Sequence, residues 1–434
     1  MAQKKKRRLK KSVKRGCLLF FSLPFFVYLL FALRDHLDLR HLTPPEATPA
    51  SEMPDSLVAL RQRIDRIFES PVRVDTSNIA VEISDLQTGD VVYSRHARRL
   101  APPASCMKLL TAVTAMRILG VNHRYISEVK IHGEQRGNTL FGDAIVQLDD
   151  DPTIDTLEPF VNALKRHGIG RIEGKMILHL TRTDTLQAHS TAAVWDIPYK
   201  QLPILLKGRQ RIEQDFRYLL QIKSIQCSAF ETSDIWNKDQ RTSASESVIY
   251  RHETPLSKVL EPMLIHSSNI MADALFAHLA YICNTLPLLD FSPNQYLLAQ
   301  ASAVTRPDDD WQNFVVNDGS GLSPDNRITA HFLTQLLRDA WQDEKIRHIL
   351  IDQALATPGH PTRHGSLLGR MNTPQCRGHI FVKTGTLTTR ALSSLAGYAQ
   401  TASGRWLIFA IINEDTPVAE SRIFQDRLCG ELVK

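Results

Sequence analysis

Leu57, Leu60, Ile64 and Ile67 recur at intervals of three and four, so residues 56–69 predict an amphipathic helix, which Ser70-Pro71 ends. Beyond it the period changes. Ile79, Val81 and Ile83 alternate with their neighbours, Thr88-Gly89-Asp90 is turn chemistry, and residues 90–94 are again β-rich, the pattern of a hairpin. The far end of the chain is similar. Residues 379–383 and 395–400 read as strands, Trp406 to Asn413 is almost wholly apolar, as in a strand covered on both faces, and residues 418–432 return to a helical period. Two β segments near the start and three near the end, with helical stretches between, predict an α+β domain whose sheet is built from both chain ends.

Residues 121–250 differ in texture. They hold short β-like pieces at 128–132 and 175–180, and a helix over 157–167 that Gly168 and Gly170 stop. This predicts an inserted subdomain over 121–250 dividing a main domain of residues 57–120 and 251–434. A chain of 434 residues is long enough for two or three domains, and at 43% hydrophobic and 23% charged residues it is globular rather than disordered or fibrous.

Charge changes the picture at the N-terminus. The net charge of +6 conceals nine lysines and arginines between Lys4 and Arg15, which leaves 43 basic against 46 acidic residues elsewhere. Alone, such a tail could bind nucleic acid. The seventeen uncharged residues from Cys17 to Leu33 that follow it point to a membrane instead. Signal peptides carry apolar runs of about 7–15 residues and spanning helices about 17–25, and no small-x-small cleavage site follows. Residues 17–33 therefore read as an uncleaved anchor in preference to a removed signal. Residues 1–16 stay in the cytoplasm and everything after Leu33 is exported. Residues 34–56, with four prolines after His41, form a linker.

The six cysteines, Cys17, Cys106, Cys227, Cys283, Cys376 and Cys429, make no C-x-x-C pair, and the sixteen histidines make no H-E-x-x-H. No metal centre and no cofactor is expected, and disulfide connectivity stays open.

The candidate chemistry lies in three short stretches. Ser105-Cys-Met-Lys108 follows Pro102-Pro103 and opens the apolar helical run that Gly120 stops. Serine and lysine three apart share a helical face. At that helix start the dipole and free N–H groups favour an oxyanion, and a buried lysine loses its proton more easily and becomes a base. A lone S-x-x-K is usually a surface helix start, and Ser127-Glu-Val-Lys130 is a second one. Ser127 has no apolar helix behind it, so Ser105 is preferred. Ser267-Ser268-Asn269 precedes another helical apolar run; its bland reading is a helix cap. A second S-x-N, Ser292-Pro-Asn294, is restricted by its proline to a turn. Lys383-Thr384-Gly385-Thr386 closes a predicted strand, where the glycine lets another group come near the backbone.

In this order and placement the three stretches resemble the S-x-x-K, S-x-N and K-T-G set of penicillin-binding proteins and β-lactamases. Asn317-Asp-Gly-Ser-Gly-Leu-Ser323, His364-Gly-Ser-Leu367 and, more distantly, Asp149-Asp-Asp-Pro-Thr153 narrow the likeness. The chain resembles the D-alanyl-D-alanine carboxypeptidase/endopeptidases, low-molecular-mass penicillin-binding proteins with an insert between the first two motifs. Ser105 and Ser267 are 162 residues apart, short for that group, which implies an insert reduced to one subdomain.

The resemblance implies the penicillin-recognising fold, an antiparallel sheet flanked by helices. It implies an acyl-enzyme on Ser105 with Lys108 as base, and a proton relay through Ser267. Asn269 is expected to hold the peptide, Lys383 and Thr384 the terminal carboxylate, and the N–H groups of Ser105 and Thr386 the oxyanion. Peptidoglycan stem peptides are the implied substrates and β-lactams the covalent inhibitors. Two other readings compete: a serine β-lactamase, and a silent peptidoglycan-binding scaffold. Glu158-Pro-Phe-Val-Asn162 resembles a lactamase's deacylating segment. It precedes Ser267 instead of following it, and reads as a helix's first turn.

Overall fold

A computed structural model describes residues 49, 53–69, 74–181, 202–233, 246–285 and 313–434. The anchor segment 17–33 and Ser292-Pro-Asn294 lie outside these. Among the described residues no helix is long and apolar enough to cross a membrane.

The first helical period produces α1 (Asp55–Glu69), with Leu57, Leu60, Ile64 and Ile67 all buried. Each such side chain contributes about 1.5–3 kcal/mol. The stripe packs on the closing helix, labelled α9 (Val418–Leu432), and on one face of a five-stranded sheet. That sheet runs β2 (Val91–Arg95), β1 (Ile79–Asp85), β10 (Trp406–Asn413), β9 (Leu392–Gln400), β8 (Ile380–Leu387), every pair antiparallel. The two chain ends meet in it as expected, since β1 pairs with β10 from Ile79 opposite Asn413 to Asp85 opposite Leu407. Alternation in β1 does not leave a solvent face: all seven residues are buried. Its second face lies under helices, where Glu82 accepts from His331 Nδ1 at 2.8 Å and Thr334 Oγ1 at 2.5 Å.

Four helices make that second layer: α2 (Met107–Ile118), α5 (Ser257–Ile265), α6 (Asn269–Thr285) and α7 (Ala330–Gln342). A short α8 (Glu344–Ile349) follows them.

A second sheet occupies residues 124–255, in the order β6 (Gln226–Ser233), β5 (Arg171–Leu180), β4 (Thr139–Leu148), β3 (Arg124–Arg136), β7 (Glu246–Pro255). It is mixed: β4, β5 and β6 run parallel, while β3 pairs antiparallel with β4 and β7. Parallel neighbours need a crossover, and α3 (Glu158–Arg166) and α4 (Arg209–Ile222) lie in those connections. The sheet has its own apolar cluster. Of its elements only parts of β3, β5 and α3 had a visible period in the sequence; β3 runs eight residues beyond the five expected, and β7, which closes the sheet at Pro255, had none.

Candidate active site

Ala104, with a left-handed φ of 45°, turns the chain out of Pro102-Pro103 into a single 3-10 turn, Ala104–Cys106, that leads into α2. Ser105 stands on this turn, just ahead of the helix it was expected to open. From Met107 to Met116 every residue of α2 is buried, the mark of a central helix, and Lys108 is carried inside at 0% exposure. Its Nζ lies 3.0 Å from Ser105 Oγ, 2.7 Å from Asn269 Oδ1 and 2.6 Å from the carbonyl oxygen of Ser320.

Ser267, also left-handed at φ 60°, sits in the turn joining α5 to α6. The capping role belongs to its neighbour: Ser268 Oγ accepts from Met271 N at 3.3 Å. Ser267 and Asn269 are thereby left to face the site. Ser267 Oγ accepts from Lys383 Nζ at 3.0 Å, and the same ammonium donates to Thr384 O at 2.8 Å. Lys383 is buried, and loss of water brings its pKa down to about 8, a fall that the neighbouring Cys106 opposes.

Lys383-Thr384-Gly385 lies within β8, not at its end. Pairing with β9 continues through Thr386 opposite Ser393 and Leu387 opposite Leu392. The glycine does have the close approach expected of it: a Cβ there would lie 2.1 Å from Ser394 Oγ and 2.9 Å from both Pro103 O and the amide nitrogen of Ser105. The serine turn and β8 are in contact at this point, and Cys106 Sγ donates to Lys383 O at 3.3 Å. Thr384 Oγ1 is hydrogen-bonded to Ser366 Oγ, and Thr386 Oγ1 accepts from Arg422 Nη2 at 3.2 Å. Neither hydroxyl is bonded to Ser105.

Residues 317–323 complete the surroundings of Lys108. Asp318 folds the loop on itself, its carboxylate accepting from Gly321 N and Ser323 N, both at 2.6 Å, and from Asn326 Nδ2 at 3.1 Å. Gly321 then passes so close to Ala104 that a Cβ would lie 1.8 Å from its carbonyl oxygen. Ser320 and Ser366 lie in stretches that narrow the family likeness, without a role assigned to either, and Arg422 has no signal in the sequence. A backbone carbonyl leaves no trace in residue type, and Arg422 sits in a helix whose pattern is otherwise that of core packing.

The competing motifs fall elsewhere. Ser127 is buried in β3 and accepts from Asp149 N at 2.9 Å. Glu158 is exposed at the start of α3 and pairs with Lys223 Nζ at 2.7 Å. Among the described residues Cys106, Cys227, Cys376 and Cys429 are free thiols, and no group of three or more His, Cys, Asp or Glu could hold a metal.

The donor and acceptor count around Lys108 has a chemical consequence. A neutral primary amine has two N–H groups and one lone pair. Asn269 Oδ1 and Ser320 O can only accept, so in the neutral amine they can take both N–H groups and leave the lone pair for Ser105 Oγ, the one of the three that can donate. The arrangement can deprotonate a serine without histidine.

A profile of the D-Ala-D-Ala carboxypeptidase 3 (S13) family matches residues 60–199 and 209–429. The chain belongs to that family. It is 23% identical over 466 residues to the D-alanyl-D-alanine carboxypeptidase of Actinomadura sp. (strain R39), covering 87% of this chain and 85% of that one. It is 20% identical over 416 residues to the D-alanyl-D-alanine carboxypeptidase DacB of Haemophilus influenzae, covering 77% and 84%. Among solved structures, penicillin binding protein 4 (dacB) from H. influenzae superposes with a TM-score of 0.62 at 18% identity, over 86% of this chain and 99% of that one. Bd3459, a predatory peptidoglycan endopeptidase from Bdellovibrio bacteriovorus, gives 0.56 at 16% identity, over 81% and 92%. At such identities the structural likeness speaks for the fold. Family membership makes the chain a carboxypeptidase, a hydrolase of peptide bonds.

Proposed function

We propose that the chain is a serine-type D-Ala-D-Ala carboxypeptidase/endopeptidase that cuts peptidoglycan stem peptides through an acyl-enzyme and is acylated by β-lactams. The observation that carries this reading is the three-way contact of Lys108 Nζ with Ser105, Asn269 and Ser320, inside a protein that gives it no solvent. Ser105 Oγ attacks the carbonyl carbon of the penultimate D-alanine and its proton passes to Lys108. The N–H groups of Ser105 and Thr386 stabilise the oxyanion. As the peptide C–N bond breaks, a proton reaches the leaving amine through Ser267, which Lys383 holds at 3.0 Å. Lys383 and Thr384 bind the terminal carboxylate by charge-assisted bonds, and Asn269 orients the peptide. Water then attacks the ester carbonyl and frees Ser105. With a β-lactam the same attack opens the ring, and the leaving nitrogen stays attached to the adduct.

In this reading residues 57–120 and 251–434 form the peptidase domain and the second sheet, near residues 121–250, a subdomain that shapes substrate choice. The chain works in the periplasm, tethered by residues 17–33 with a linker over 34–56. Among the described residues the one lactamase-like candidate, Glu158, is engaged with Lys223 on an exposed helix.

The test is mass spectrometry of sacculus fragments incubated with the chain from residue 57 onward, alongside labelling by a fluorescent penicillin. Loss of D-alanine or cut cross-links with a stable adduct on Ser105 is the expected result. Rapid turnover of the penicillin means a lactamase, and no adduct means a scaffold; either overturns the proposal.

A further inference from the structure

Helix α6 brings more to the site than Asn269. Asp273 stands four residues on, one turn along the same face, and both its carboxylate oxygens are buried with no aligned donor. The 317–323 loop is pressed onto this turn. A Cβ on Gly319 would lie 2.8 Å from Ala272 O and 2.4 Å from Phe276 Cβ, so only glycine lets the loop come this close to the residues flanking Asp273. Ser320, next in the loop, faces two ways. Its carbonyl accepts from Lys108 at 2.6 Å, while its hydroxyl and amide lie toward the Asp273 carboxylate and temper its charge without reaching hydrogen-bond alignment.

Among the described residues few charges face this carboxylate. Lys108 comes from α2 and Asp318 from the loop; Lys383 of β8 is engaged beyond them with Ser267; on α5, Lys258 and Glu261 pair with each other in solvent. Asp318 already has three donors, so it is a fixed anion. Burial, and then the charge of Asp318, push the Asp273 pKa up to about 7, against the pull of Lys108. A buried carboxylate without donors needs a cation or a proton. Among the described residues Lys108 is the cation that acts on it.

Building on the reading of Ser105 and Lys108 given above, we infer that Asp273 is a positioning residue for Lys108, the counter-ion that holds the ammonium formed when Lys108 takes the serine proton, acting across Ser320. With the anion present, the ammonium that Lys108 becomes on taking the serine proton is stabilised at the moment of acylation. Without it, Lys108 is a weaker base that sheds its proton at lower pH.

The experiment is the pH dependence of the acylation rate constant of the full chain with a fluorescent penicillin, from about pH 5 to about pH 9, where the rising acid limb reports the free base. Asp273→Asn should move that limb down by about one pH unit, the low end of what an opposite charge does in a buried site, and lower the plateau. Asp273→Glu should keep the limb where the parent has it. A merely structural role lowers labelling equally at every pH, so an unmoved limb in Asp273→Asn, with Ser105 still labelled, overturns the inference. Asp273→Ser is read in the same way if the Asn variant does not fold. Loss of fold in all three also overturns it, because Asp273 is then structural first. A parent chain that takes no penicillin overturns the reading of the site itself, and this inference with it.

Discussion

The two sheets of this protein are made in different ways, and the contrast explains where its chemistry can sit. In the first, β1, β8, β9 and β10 are covered on both faces, with at most one residue of each strand short of fully buried. Their polar groups are bonded inside the protein: Tyr398 donates to Leu337 O at 2.7 Å, Ser394 to Pro103 O at 2.6 Å, and Gln425 Nε2 to Asn413 Oδ1 at 2.9 Å. In the second sheet β3 alternates buried and part-buried residues over its first half, and β6 has no buried residue. Its charges meet as surface pairs, such as Lys175 with Glu231 at 2.9 Å and Arg124 with Glu253 at 2.9 Å. Such pairs contribute little. A buried polar group, by contrast, has a position fixed to a few tenths of an ångström by the groups that must satisfy it, and a lysine base or a substrate-binding ammonium needs that fixity.

The largest effects should therefore come from changes beside the first sheet. Ser105→Ala should abolish penicillin labelling while leaving the melting temperature close to the parent's, because the side chain lost is the proposed nucleophile and the turn tolerates alanine. Lys108→Arg should be almost as inactive as Lys108→Ala, since a guanidinium stays protonated; general bases contribute about 10²–10⁴-fold. Adduct on the Ser105→Ala chain, or retention of more than about a tenth of turnover in Lys108→Arg, would place the chemistry elsewhere. Ser127→Ala serves as the internal control and should label normally, since Ser127 is occupied with Asp149 N in β3.

Next comes Gly385→Ala. The added methyl would meet Ser394 Oγ at 2.1 Å and the amide of Ser105 at 2.9 Å, so the serine turn must shift. A displacement of that order is expected to reduce acylation by about 10²-fold. Adding Ser394→Ala removes the first clash and not the second, so the double variant should regain stability without regaining rate. Recovery of both would show that the close approach matters to packing alone.

How much of this was legible in the sequence depends on the same contrast. Strands with both faces buried announce themselves as apolar runs, and β10 was bounded to the residue. The polar edges β6 and β7 have no such pattern, and in β4 Gly142 interrupts the alternation. In the site, the residues proposed to act through their side chains were visible as motifs, and Ser105, Lys108, Ser267, Asn269 and Lys383 are brought together. What was invisible acts through the backbone or from a distant segment. Ser320 contributes a carbonyl, and Asp273 is, by residue pattern, one more position in an apolar helix, against which the 317–323 loop packs at Ala272 and Phe276.

A gentler perturbation uses pH. Burial lowers the Lys383 pKa to about 8, so its ammonium is almost fully present at pH 7 and is lost as pH rises through 8. If it binds the substrate carboxylate, KM for a D-Ala-D-Ala peptide should rise by up to about tenfold between pH 7 and pH 9. Lys383→Arg, which stays charged, should flatten that rise even if its absolute KM is worse. An equal rise in both variants would assign the pH effect to some other group.

The smallest effect is expected in the second sheet's lobe, and it carries the sharpest test of the contrast. Glu158 and Lys223 form an exposed pair at 2.7 Å, and the partner lysine holds the Glu158 carboxyl below its ordinary pKa, the reverse of what a general base working near neutrality needs. Glu158→Gln should leave penicillin labelling, the lifetime of the adduct and the melting temperature unchanged, the last within about 2 °C, as expected for an exposed pair. Measuring the lifetime matters most. A deacylating glutamate would leave the acylation rate alone and lengthen the adduct's life on substitution, so a longer-lived adduct in Glu158→Gln would bring the second lobe into the catalytic step and turn the enzyme toward a lactamase. An unchanged lifetime confines the chemistry to the side of the molecule where the polar groups are buried.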